Sequence, residues 1–258
     1  MRLPCLLLVV LLGCPAFASQ EAVTVTAVPA GNLLELEDGR WVRLAGIRLT
    51  ADGHDSQDPA AQGLAAQART ALAALVAGRA VRLEPASPAD RYGRVVAQVW
   101  RHDGLWLQGT LLERGLVQVQ TRPGEVALAA EMAAREAAAR GAGIGLWAHA
   151  ALRPRGAHQV ASLAGSFQII RGRVVRVAPT ERYVYLNFGA DWRSDFTLRV
   201  ARSEERSFRA AGIELEQLAG REVEVRGYLL EAGGPLIELS HPEQIRLGPD
   251  PAGDEPAS

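Results

Sequence analysis

From Asn32 to Ile47 the chain reads NLLELEDGRWVRLAGI, and this stretch restricts the fold more than any other. Two apolar-rich, strand-forming runs flank Asp38-Gly39, a pair that supplies the positive φ of a tight hairpin turn. A lone hairpin is marginal in water, so further strands must cover it. "VTVTAV" precedes it; "AVRLEP" and "RVVAQVWRHDGLWL" follow, the last turning at Asp103-Gly104. Between them, "DPAAQGLAAQARTALAALVAG" is predicted to be a helix, with Pro59 suited to its first turn and Gly78 to its stop. "LQGTLLERG", ended by Gly115, and "EVALAAEMAAREAAARG", ended by Gly141, are predicted helices too. Strands, helix, strands and two helices make a small β-barrel with helices outside it, over residues 22–160.

After the linker "ALRPRGAHQVASLAG" a second unit runs over residues 165–247. "FQIIRGRVVRVA", "RYVYLNFG" and "DFTLRVA" are predicted strands, and "SEERSFRAAG" a helix capped by Ser203. "REVEVRGYLLE" and "PLIELS" are two more strands. That order predicts an OB-like five-stranded barrel. Tyr183, Tyr185, Phe188, Trp192 and Phe196 lie near several arginines there. They read as barrel filling, or as a face for single strands by stacking.

The first 18 residues, MRLPCLLLVVLLGCPAFA, read as a signal peptide. Arg2 precedes an apolar run, and Ala16-Phe17-Ala18 is a small-residue cleavage site. The run is too short for a membrane span, so a periplasmic or secreted mature protein without a transmembrane segment is expected. Leu11-Leu12-Gly13-Cys14 offers the less favoured alternative of a lipid anchor on Cys14. Both cysteines of the chain, Cys5 and Cys14, fall in this segment. The mature chain then has no disulfide, cysteine metal site or cysteine nucleophile. Residues 248–258 are rich in Pro, Gly and acid and read as a disordered tail.

All 28 basic residues are arginine. Each is a planar fork suited to phosphate or carboxylate. With a formal net charge of −1, the chain has no basic excess to favour non-specific nucleic-acid affinity, which leaves only a local basic cleft.

"VRLAGI", the helix "GLAAQARTALAALVAG", the loop "DRYGR" (Asp90 to Arg94), "LQGTLLERGLV" and "EMAAREAAARGAGIGLW" occur in this order over Val25 to Trp147. Together they resemble the staphylococcal nuclease (thermonuclease) family. The resemblance implies an α+β, mainly β fold: a nuclease-type (SNase-type), OB-like β-barrel with three helices, followed here by the second OB-like barrel. It also implies a calcium-dependent phosphodiesterase acting on DNA and RNA. In such a site carboxylates hold the metal, a glutamate serves the attacking water, and two arginines clamp the phosphate.

Carried over residue by residue, the phosphate arginines are Arg43 and Arg94. The metal aspartate is replaced by Arg48, the catalytic glutamate by Ala51, and the second metal carboxylate by Asn32. Thr121 and Pro123 stand where the founding nuclease has two base-stacking tyrosines. Calcium wants several oxygen ligands, and loss of a general base removes about 10²–10⁴ in rate. The expectation is a catalytically degenerate, cofactor-free relative that binds a nucleic acid, another anionic ligand or an envelope protein partner. Arg43, Arg48 and Arg94 form its candidate anion pocket.

The alternative is an active calcium-dependent nuclease that recruits Asp52, Asp55 or Asp58, near His54, from the loop "ADGHDSQDPAA". That loop is otherwise a polar lead-in to the Pro59 helix, the preferred reading. Arg48 is otherwise a solvated surface arginine, and Arg43 a plain salt-bridge partner. Asp90 and Tyr92 are expected to shape their turn. Trp100, Trp106 and Trp147 are expected in packing, and Glu131–Arg135 as an ordinary i,i+4 pair.

Overall fold

The computed structural model describes residues 22–51, 58–191 and 193–248. The leader with Cys14, the loop residues Asp52, His54 and Asp55, Trp192 and the tail from residue 249 lie outside the described residues.

The first region contains β1 (Val23–Ala30), β2 (Leu33–Leu36), β3 (Trp41–Leu44) and β4 (Ile47–Arg48), then α1 (Pro59–Val76). It continues with β5 (Ala80–Ser87), β6 (Val95–Arg101), α2 (Leu107–Glu113), β7 (Gln118–Val119) and α3 (Ala129–Gly141). A closed barrel in the order β1-β2-β3-β6-β5 forms its centre. The Asp38-Gly39 turn sets β2 against β3 with Leu34 opposite Val42, and Gly39 takes a φ of 83°. β3 then runs parallel to β6, placing Arg43 opposite Val96. Period-two alternation buries Leu34, Leu36, Val42 and Leu44 inside the barrel.

Asp58 accepts a hydrogen bond from the Ala60 N–H and caps α1. Ala61, Leu64, Ala68, Leu72 and Leu75 form the buried stripe of that helix. Helix α3 starts later than its sequence implied. Leu128 adopts a left-handed φ of 62° at its N-cap, so Glu125 belongs to the preceding turn.

The second region contains β8 (Arg155–Gly156), β9 (Phe167–Arg173), β10 (Arg176–Pro179), β11 (Tyr183–Asn187) and β12 (Thr197–Ala201). After α4 (Glu205–Ala210) come β13 (Glu222–Tyr228), β14 (Leu230–Glu231), β15 (Pro235–Leu239) and β16 (Ile245–Leu247). Where one five-stranded barrel was expected, the strands pair into two sheets, β10-β11-β12-β15-β14 and β16-β13-β9-β8. The run expected as one strand, Phe167 to Ala178, divides at Val174-Val175, and its halves join different sheets. Ser203 lies in a 3₁₀ turn, and α4 has no side-chain cap.

Each region has its own apolar cluster, and a third one joins them. Leu64 of α1, Ala139 of α3, Leu146 and Trp147 pack with Phe167 and Ile169 of β9. Burying each large side chain there contributes about 1.5–3 kcal/mol. Among the described residues, no helix is long and apolar enough to cross a membrane.

Candidate functional site

Arg43 projects from β3 beside the barrel, and its guanidinium is already occupied. Nη1 and Nη2 donate to the two carboxylate oxygens of Glu125, at 3.1 and 2.5 Å. The Gly46 N–H points at the same carboxylate, 3.4 Å from Oε2, and Arg122 stands 3.8 Å from Oε1. Arg43 Nε lies 3.7 Å from Asp90 Oδ2. A fork-to-fork arginine–carboxylate pair of this kind is charge-assisted and directional. Glu125 therefore takes the seat that an anionic ligand of Arg43 would take.

Arg94 reaches the same place from the other side. Its Nε donates to Asp90 Oδ2 at 2.7 Å, while the Arg94 and Tyr92 N–H groups donate to Asp90 Oδ1. Burial works to raise the Asp90 pKa. The Arg94 guanidinium and these N–H groups outweigh burial and hold it below the usual carboxylate range. Tyr92 is 65% exposed, with the Arg91 and Arg94 guanidiniums 4.8 and 4.9 Å from its ring centre.

Arg48 has different partners. It is 2% exposed, which corrects the solvated-surface reading. β4 pairs with β7, placing Arg48 opposite Gln118. Nη1 donates to Gln118 Oε1 at 2.6 Å, and the guanidinium lies 4.6 Å from the Phe167 ring centre. Phe167 belongs to β9, so the second region covers this arginine. A desolvated cation–π contact contributes about 2 kcal/mol.

The contact continues as a buried ionic joint. Glu136 of α3 accepts from the Val119 N–H at 2.7 Å, and its other oxygen lies 2.8 Å from Arg226 Nη2 of β13. Arg226 Nη1 donates to the Val119 carbonyl. Burial alone would lower the Arg226 pKa; the Glu136 and Glu224 carboxylates outweigh it and keep the guanidinium charged. Glu224 in turn accepts from Arg140 at 3.0 Å and Arg171 at 2.7 Å. Burial opposes its ionisation, and these two arginines hold its pKa below the usual range. Thr121 Oγ1 and His241 Nε2 lie 2.8 Å apart across the same joint.

The Asn32 carbonyl accepts from the Leu44 N–H, Ala51 is half-buried and Pro123 is exposed. A calcium ion does not fit these residues. Arg48 is a cation that bonds Gln118 and lies against Phe167, Asn32 offers an amide, and Ala51 offers no side-chain oxygen. Asp90 and Glu125 each bind arginine, and Asp58 caps α1. Among the described residues, no three His, Cys, Asp or Glu side chains group as metal ligands would.

Glu125, Glu136, Gln118, Phe167, Arg226 and His241 were not singled out as site residues in the sequence. For Glu136 there was a signal: it sits on the buried stripe Ala129, Met132, Glu136, Ala139, where a lone carboxylate needs a partner. Glu125 had none, because it was placed at a helix start.

A closed five-stranded barrel with packed helices and two arginines converging on one edge defines a small β-barrel domain with an arginine site. Residues 41–149 match the family model described as staphylococcal nuclease homologue, and this part of the chain is a thermonuclease-family domain. No curated protein matches the chain.

Proposed function

We propose that the first region is a catalytically degenerate thermonuclease-family domain of an exported protein, and that it binds an anionic partner, a nucleic-acid strand, without cutting it. The single observation that carries this reading is Arg48. At a position where the family holds metal, the side chain is a buried cation under Phe167. Ala51 supplies no base for the attacking water. The surface left for a partner is the rim of the site, where Tyr92 lies between Arg91 and Arg94 and Arg122 stands exposed nearby. Arginine and aromatic faces together suit phosphates and bases. The sequence of the leader segment supports export.

The test uses single-stranded DNA and RNA with millimolar calcium against an EDTA control. The expected result is no cleavage, with binding that weakens as salt rises. Arg91→Ala and Arg122→Ala should each lower the salt slope by about 1. Calcium-dependent cleavage that is lost in an Arg43→Ala, Arg94→Ala double variant would overturn the degenerate reading and restore the active nuclease. Absence of both cleavage and binding would point to a protein partner in the envelope.

A further inference from the structure

The sheet β10-β11-β12-β15-β14 of the second region turns one face inward and leaves the other unspent. Inward go Val184, Leu186, Leu198, Val200, Ile237 and Leu239, all buried. Period two then sends their neighbours outward, and the pairing sets these in rows. One row is Arg176, Asn187, Thr197 and Leu236; the next is Ala178, Tyr185, Arg199 and Glu238. The β14–β15 turn rises beside these rows. Gly233 and Gly234 take positive φ values of 75° and 128°, and Gly234 is pinned by its N–H donating to Glu231 Oε1. Between turn and sheet lies a cavity of about 340 Å³, lined in part by Arg176, Tyr185, Asn187 and Leu236.

The polar groups of this cavity divide into used and unused. Arg199 donates to Glu238 at 2.6 Å and lies 4.8 Å from the Tyr183 ring centre, so its charge is answered. Asn187 Oδ1 accepts from the Thr197 hydroxyl at 3.2 Å, which turns its amide nitrogen elsewhere. The Arg176 guanidinium and the Tyr185 hydroxyl make no hydrogen bond among the described residues. The cavity thus offers one unanswered guanidinium, an amide donor and a phenol. Ala178, Pro235 and Leu236 add an apolar floor.

We propose that this cavity binds a small organic anion with a flat ring, in the class of a nucleoside monophosphate. A cavity of about 340 Å³ falls within the roughly 300–1,000 Å³ of small-molecule sites, which pair mostly apolar walls with a few placed donors. Arg176 and the Asn187 amide suit the phosphate; the Tyr185 ring and the apolar floor suit the base. The inference goes beyond the function proposed for the first region and does not rest on it.

Calorimetric titration of the full chain with adenosine monophosphate tests this, with adenosine and inorganic phosphate as separate ligands. The expected result is saturable binding of the nucleotide, tighter than either part. Arg176→Ala, at an exposed position, should weaken it about tenfold or more, the loss of one charge-assisted contact. Ala178→Phe, which fills the cavity from the outward face, should abolish it, while Arg94→Ala should leave it unchanged. A single-stranded oligonucleotide is added as competitor. Displacement would mark a site for a nucleotide within a strand, no displacement a site for free nucleotide, and both sustain it. No saturable binding at millimolar nucleotide would overturn the proposal. So would a loss that follows Arg94 instead of Arg176, or phosphate alone binding as tightly as the nucleotide.

Discussion

The two regions spend their arginines differently. In the first, Arg43 faces Glu125, Arg94 faces Asp90, and Arg48 lies between Gln118 and Phe167. In the second, the cavity sheet answers Arg199 with Glu238, while the Arg176 guanidinium has no partner among the described residues. A guanidinium is a candidate ligand group only while nothing in the chain has claimed it. The residue type is the same throughout; the carboxylate within reach decides what it does. In the region that carries the family likeness Arg43, Arg48 and Arg94 are each held by groups of the chain, whereas Arg176 stands exposed on the cavity sheet of the other.

The largest expected effect comes from the joint between the regions. Arg226→Ala leaves Glu136 buried without its partner, and should cost about 3–5 kcal/mol in chemical unfolding. Pairing Arg226→Met with Glu136→Leu should recover most of that, because it removes both charges. A single variant that unfolds like the parent would show that water reaches the joint. Phe167→Ala comes next, at about 3 kcal/mol from lost packing, and it uncovers Arg48.

Glu125→Gln probes the contrast directly. It keeps the shape but weakens the charged bond to Arg43, costing about 1–3 kcal/mol. It should also create phosphate affinity at Arg43 that the parent lacks, readable by titration with inorganic phosphate; no gain would mean that Glu125 does not occupy an anion seat. Acid should act on His241. Burial lowers its pKa, against the opposing pull of Glu243, Glu125 and Glu204. The unfolded chain therefore takes up the proton first. Stability contributed by neutral His241 is complete above about pH 6.5 and is lost as pH falls below it. His241→Gln should flatten that part of the pH–stability curve. The smallest effect belongs to Glu131→Ala, an exposed i,i+4 pair with Arg135, at under about 0.5 kcal/mol in a thermal melt.

Much of the first region was legible because its signals are local. Asp38-Gly39 fixed one hairpin, Pro59 and Gly78 bounded α1, and Trp106 and Trp147 are buried as their positions implied. Glu131 and Arg135 pair as their spacing predicts. What was not legible depends on partners distant in sequence. Nothing near Arg48 names Phe167, and nothing near Arg43 names Glu125. The start of α3 was misplaced because the left-handed Leu128 has no side-chain signature. The second region was read as one barrel because a continuous apolar run conceals the break at Val174-Val175.

The Glu136–Arg226 pair also sets an order in time. Synthesis runs from the N-terminus at about 5–20 residues per second, so α3 exists for several seconds before β13 does. During that interval the carboxylate of Glu136 has no cation to meet, and the apolar stripe around it stays wet. The barrel can close early, but its outer wall is completed only by chain made much later. Any fragment stopped between the two should therefore be a poorly closed, aggregation-prone species, and the whole chain should melt in one cooperative step.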